Sequence, residues 1–104
     1  MVQTLNTSIS SIKPNELING FYNKVLVSPN PVSDFAEFSW DLQLLESCAL
    51  LEVFDVNGKV IYQFQIMDKI GAHVWRISGL DSGNYNYRIN ENGKILASGK
   101  LTII

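Results

Sequence analysis

One cysteine, one histidine and three prolines stand among 104 residues, and no apolar run reaches the ~20 residues that span a bilayer. The lone thiol, Cys48, excludes an intramolecular disulfide and any zinc site built from several thiolates. Charge is sparse and balanced, with 8 basic and 10 acidic side chains and a net charge of −2. Without a basic face to displace condensed counterions, nucleic acid is not an expected partner. The seven glycines are dispersed, so no phosphate cradle is formed. Residues 1–8 lack the basic and apolar regions of a secretory leader. Taken alone that reads as cytoplasmic, although a domain cut from a longer exported chain would look the same.

What is present is β-forming. The length suits one domain with one core. Residues 1–22 mix Thr, Ser, Asn, Lys and Pro around isolated Ile and Leu without a sustained period, and read as a linker or tail; a short strand over 3–9 is an open alternative. Residues 23–104 are a succession of short runs rich in Val, Ile, Phe, Tyr and Trp, each bounded by Gly, Asn, Asp or Pro. That pattern predicts an all-β, immunoglobulin-like Greek-key sandwich of about seven antiparallel strands, near 24–28, 35–40, 48–55, 59–67, 72–77, 83–90 and 94–104.

Alternation assigns the faces, because successive strand side chains point to opposite sides. Ala36, Phe38 and Trp40 share one face, as do Val60, Tyr62, Phe64 and Ile66, and Tyr85, Tyr87 and Ile89. Two Asn-Gly pairs mark hairpins, the pair favoured where both turn residues need φ > 0. Asn57-Gly58 predicts a two-residue type I′ turn, while Asn92-Gly93 leaves room for a longer loop. The likeness of residues 57–61 to 92–96 follows from shared turn chemistry rather than from an internal repeat.

Material for catalysis is thin. His73 lies in a predicted strand beside Trp75, with no second His or Cys near it, and reads as an ordinary strand residue rather than a base or ligand. Cys48 sits in an apolar run that predicts an inert core thiol. The carboxylates Asp34, Glu37, Asp41, Glu46, Glu52, Asp55, Asp68, Asp81 and Glu91 are spread singly over strand ends and turns, where Asp caps backbone N–H groups. Asp55-Val56-Asn57-Gly58 imitates the start of a calcium loop but lacks its alternate acidic ligands. No metal, no other cofactor and no catalytic residue is expected. Tyr22, Trp40, Tyr62, Trp75, Tyr85 and Tyr87 could line a sugar-stacking platform, but most fall on the apolar side of a strand, where rings fill a core.

Four stretches become specific together: Val27-Ser28-Pro29-Asn30-Pro31-Val32-Ser33-Asp34, Val53-Phe54-Asp55-Val56-Asn57-Gly58-Lys59-Val60, Leu80-Asp81-Ser82-Gly83-Asn84-Tyr85, and Lys100-Leu101-Thr102-Ile103-Ile104. In this order and spacing, over roughly 24–104, the chain resembles the type A C-terminal sorting domain of the type IX (Por) secretion system of Gram-negative bacteria. Ser28 stands where many members carry an aromatic residue, and Ile104 where many end in a basic one.

The resemblance implies a non-catalytic secretion signal at the end of a larger cargo protein. The cargo would pass through the periplasm, be recognised by an outer-membrane translocon, and be carried by a shuttle protein to a sortase-like peptidase. That peptidase would remove the domain, leaving the cargo extracellular or at the cell surface. Lys100, Leu101, Thr102, Ile103 and Ile104 are the implied recognition segment, and Pro29, Asn30, Pro31, Asp55, Gly58, Leu80, Gly83 and Tyr85 the structural motif. Each motif residue also has a local reading. The prolines end the first strand, Asp55 caps a hairpin, Gly83 permits a turn, and Tyr85 starts a strand facing the core. Two other readings make different demands. A carbohydrate- or protein-binding module would need an exposed aromatic row, and a small hydrolase would need His73 and Cys48, or a carboxylate pair, to meet. The sorting reading expects Trp40, Trp75 and Tyr85 buried and the last strand accessible.

Overall fold

The computed structural model describes residues 22–104; the tail read over residues 1–22, all but its last residue, and the alternative strand over 3–9 lie outside them. Seven strands follow one another: β1 (Asn23–Ser28), β2 (Phe35–Leu42), β3 (Ala49–Phe54), β4 (Val60–Ile66), β5 (Ile70–Arg76), β6 (Gly83–Glu91) and β7 (Lys94–Ile103). They form two antiparallel sheets, ordered β1-β2-β5 and β4-β3-β6-β7. The chain crosses between sheets after β2, β4 and β5, the connectivity of an immunoglobulin-like sandwich. Its core consists of inward residues from both sheets, with Phe38, Leu42, Leu51, Ile66, Ile89 and Leu101 fully enclosed.

Alternation produced the expected faces wherever the ladder is regular. Ala36, Phe38 and Trp40 are buried on β2, and Tyr85, Tyr87 and Ile89 on β6. It failed at the start of β4, where the pairing with β3 shifts register between Val53 and Phe54. The bulge inserts one residue, so Val60 turns outward at 38% exposure and Ile61 packs on the core in its place.

Strand β5 begins at Ile70 rather than at the expected Ala72. Gly71 is paired opposite Trp40 within the ladder. A Cβ there would lie 2.8 Å from Trp40 Cζ2, so the glycine is a seat for the indole and not a strand boundary. Gly99 on β7 repeats the device, opposite Tyr87 on β6.

The two Asn-Gly turns exchanged their expected forms. At Asn92-Gly93 both residues have positive φ (52° and 89°), and the flanking Glu91 and Lys94 pair, which makes this the two-residue type I′ turn. At 55–58, only Gly58 is left-handed (φ 82°). The Gly58 N–H donates to the Asp55 carbonyl at 3.0 Å and the Asp55 N–H to the Lys59 carbonyl at 2.9 Å, giving a three-residue loop closed by a left-handed glycine. The choice is made by the Asp55 side chain, whose Oδ1 accepts from the Asn57 and Lys59 N–H groups, each at 2.9 Å.

The loop from β2 to β3 is fastened by one of the singly placed carboxylates. Glu91, at the end of β6, accepts from the Ser47 N–H at 2.7 Å, the Ser47 hydroxyl at 3.1 Å and the Glu46 N–H at 3.2 Å. Burial raises its pKa, but these donors together with the Lys94 charge outweigh burial and hold the carboxyl below its ordinary value. A depressed folded-state pKa contributes stability that is complete above the unfolded value and disappears as pH falls through the folded one. Glu91→Gln is therefore expected to lower Tm at pH 7 and to flatten the decline of Tm in acid. A thermal melt series across the range below about pH 5 checks this, and an unchanged acid slope would count against the assignment.

Candidate functional site

β7 is the edge of the four-stranded sheet, and its terminal half is not bare. In an antiparallel ladder alternate residues aim their backbone groups away from the neighbouring strand. At Lys100, Thr102 and Ile104 those outward groups meet residues 30–32. The Val32 N–H donates to the Thr102 carbonyl at 2.7 Å, and the Ile104 N–H donates to the Val32 carbonyl at 2.9 Å, forming a parallel bridge between Val32 and Ile103. The Asn30 side chain completes it: Oδ1 accepts from the Thr102 N–H at 3.1 Å, and Nδ2 points to the Lys100 carbonyl at 3.5 Å.

The two prolines explain why a side chain takes this part. Pro29 and Pro31 have no N–H to give, and both of their preceding peptide bonds are cis. The chain leaves β1, which belongs to the other sheet, turns a corner and reaches β7 with one usable amide between the prolines, that of Asn30. A primary amide offers the same C=O and N–H as a peptide unit, so it substitutes for a strand residue.

The implied recognition residues are thereby divided. Leu101 and Ile103 are buried in the core, whereas Lys100 and Ile104 are exposed, Ile104 at 67%, and Thr102 is half-buried. The Thr102 hydroxyl lies 3.0 Å from the Asn84 amide oxygen on β6. Beside Lys100, the outer face carries a shallow groove of about 690 Å³ bordered by Phe54, Asp55, Arg88, Ser98 and Gly99. Arg88 is committed there to Glu52, at 2.9 Å, and lies over the Phe54 ring, which leaves Lys100 without a carboxylate partner among the described residues.

The remaining motif residues build the corner at the start of β6, the end that pairs with residues 101–103 of β7. The Tyr85 hydroxyl donates to the Asp81 carbonyl at 2.7 Å, the backward bond known as a tyrosine corner in immunoglobulin-like folds. Gly83 adopts φ 151° where the chain enters the strand, and Leu80 packs on the core.

Chemistry-bearing side chains elsewhere do not converge. His73 faces inward at the seam where β4 and β5 meet, stacked on Phe64 and Tyr62, with the Tyr62 hydroxyl on its Nε2. Burial lowers its pKa and raises that of Tyr62. Cys48 is not the core residue its apolar neighbours suggested. It precedes β3 rather than belonging to it and is half-buried, with Gln65 Nε2 3.9 Å from its sulfur. Among the described residues no three His, Cys, Asp or Glu side chains gather. Of the six rings that could have lined a sugar platform, Trp40, Trp75, Tyr85 and Tyr87 are each 7% exposed, Tyr62 is half-buried and Tyr22 alone is exposed, so they form no exposed row.

A family model, the secretion system C-terminal sorting domain, matches residues 26–104, almost the whole described sandwich. The chain belongs to that family. A search of curated proteins found no match. As a type IX sorting domain, the chain carries a C-terminal secretion signal, and this family is in general non-catalytic. Membership implies secretion to the cell surface or extracellular space as part of a larger protein, through contact with the type IX machinery. Among the described residues no helix is long and apolar enough to cross a membrane.

Within this sorting domain, Val32 pins residues 102–104 and Glu91 pins the loop before β3. Their partners lie far along the chain, and only the folded topology brings them together.

Proposed function

We propose that this domain is the address label of a larger cargo, read through the solvent side of its last strand. The cargo passes through the periplasm, the outer-membrane translocon receives the label, and a shuttle protein delivers it to a sortase-like peptidase. The peptidase cuts in the segment before the sandwich and leaves the cargo extracellular or at the surface. One observation carries the contact assignment: β7 is an edge strand whose Lys100 and Thr102, with Ile104 just past its end, face outward while Leu101 and Ile103 anchor it. An anchored edge strand can be read by side chains without unfolding the sandwich. Pro29, Asn30, Pro31, Asp55, Gly58, Leu80, Gly83 and Tyr85 serve the fold that presents it.

Removing residues 100–104 would also delete two core side chains, so a surface variant is the sharper test. Lys100→Glu combined with Ile104→Asp leaves the core untouched. In a host with the type IX machinery, it is expected to lower secretion of a leader-bearing reporter fused to residues 1–104 roughly ten-fold, the effect of about 1.4 kcal/mol of lost contact. Secretion equal to that of the unaltered reporter, with the domain folded, would place recognition elsewhere.

A further inference from the structure

The terminal strand is held by a segment 70 and 72 positions earlier in the chain, through the Asn30 contacts to Lys100 and Thr102. Before the sandwich closes, nothing local fixes the outward groups of residues 100, 102 and 104. Afterwards, Asn30 and Val32 occupy those groups and set the strand's position at the corner between the two sheets. Lys100 and Thr102 then stand on a backbone fixed from both sides, by β6 and by residues 30–32, and Ile104 follows, held by Val32.

We propose that the secretion machinery reads a two-segment epitope that exists only in the folded domain, and that Asn30 is its positioning residue. This rests on the reading of β7 as the recognition strand and adds a condition to it: export requires the corner to be closed. The arrangement fits a protein surface that offers a carboxylate to Lys100 and a small apolar recess to Ile104. It disfavours a partner that adds a strand along residues 100–104, because those backbone groups are already engaged by Asn30 and Val32. Binding a fixed strand avoids the entropy cost of ordering a loose one, so a partner of modest contact area can discriminate folded cargo from unfolded cargo.

The test joins hydrogen exchange with secretion, using the leader-bearing reporter fused to residues 1–104. Asn30→Ala removes both side-chain bonds. Exchange at the Thr102 amide is expected to rise roughly ten-fold, as for the loss of one hydrogen bond, while amides of β3 and β6 stay protected. Secretion is expected to fall by a similar factor. Asn30→Asp keeps an acceptor for the Thr102 N–H and loses only the donor to Lys100, so it should recover Thr102 protection and secretion together. If Asn30→Ala does not fold, the Asp variant carries the comparison, with both readouts moving in step.

Freed Thr102 exchange with undiminished secretion would overturn the proposal, and so would unchanged exchange in Asn30→Ala. Failure of the unaltered reporter to leave the cell would instead refute the sorting assignment on which the proposal rests, so the two failures are distinguishable.

Discussion

Phe38→Ala is expected to cost about 3–5 kcal/mol, the usual range for deleting a buried phenyl group. Phe38 sits on β2, the central strand of its sheet, opposite Val27 on β1 and His73 on β5. It has no exposure, stacks at 6.5 Å on Trp75 within its own sheet and meets Tyr87 of the facing sheet edge-on at 5.5 Å. Losing it opens a void where the two layers touch. Small domains are stable by about 5–15 kcal/mol in total, so this one change consumes a large share of the margin. Urea denaturation should show a much lower midpoint with a similar slope. A cost below about 1 kcal/mol would mean that the layers do not meet at Phe38 as described.

Gly99→Val tests the opposite error, too much volume instead of too little. The missing Cβ of Gly99 is where the Tyr87 ring lies, with Cζ 2.6 Å from the position a Cβ would take. Tyr87 is 7% exposed and wedged against Phe38, so it has little room to retreat. Displacing it should cost about 1–3 kcal/mol, at the upper end for a branched side chain. Tyr87→Ala would lose packing of its own, yet in that background Gly99→Val should become nearly neutral. A double-mutant cycle measures this, and additive effects would contradict the cross-strand contact.

These two sites also show what could be read from the sequence. Phe38 and Tyr87 were legible as core, because alternation on a regular strand assigns faces without knowledge of partners. Gly71 and Gly99 were not legible as seats for Trp40 and Tyr87, since a glycine in a β-rich run signals a strand end or a turn just as readily as a close approach. Val60 turns outward against the alternation because a one-residue bulge reverses the faces beyond it, and nothing local marks a bulge that pairing with β3 creates. The turn at Asp55 differed from its twin at Asn92 through a single side chain two residues before the Asn-Gly pair.

The candidate site was legible in part. Family resemblance pointed to residues 100–104 and to Pro29-Asn30-Pro31 as separate motifs. That one holds the other is a long-range fact: Asn30 and Thr102 share no period, charge pattern or turn signal. Only the path of the chain from the first sheet to the edge of the second brings them within a hydrogen bond.

The address-label reading requires this sandwich to be sufficient to direct a passenger out of the cell. It is tested most directly by fusing a leader-bearing fluorescent protein to residues 1–104 and measuring its fluorescence in medium and on cells, in a type IX host and in the same host without the outer-membrane translocon. The passenger is expected outside the first host and confined to the periplasm of the second. A folded fusion retained in the periplasm of both hosts would contradict it.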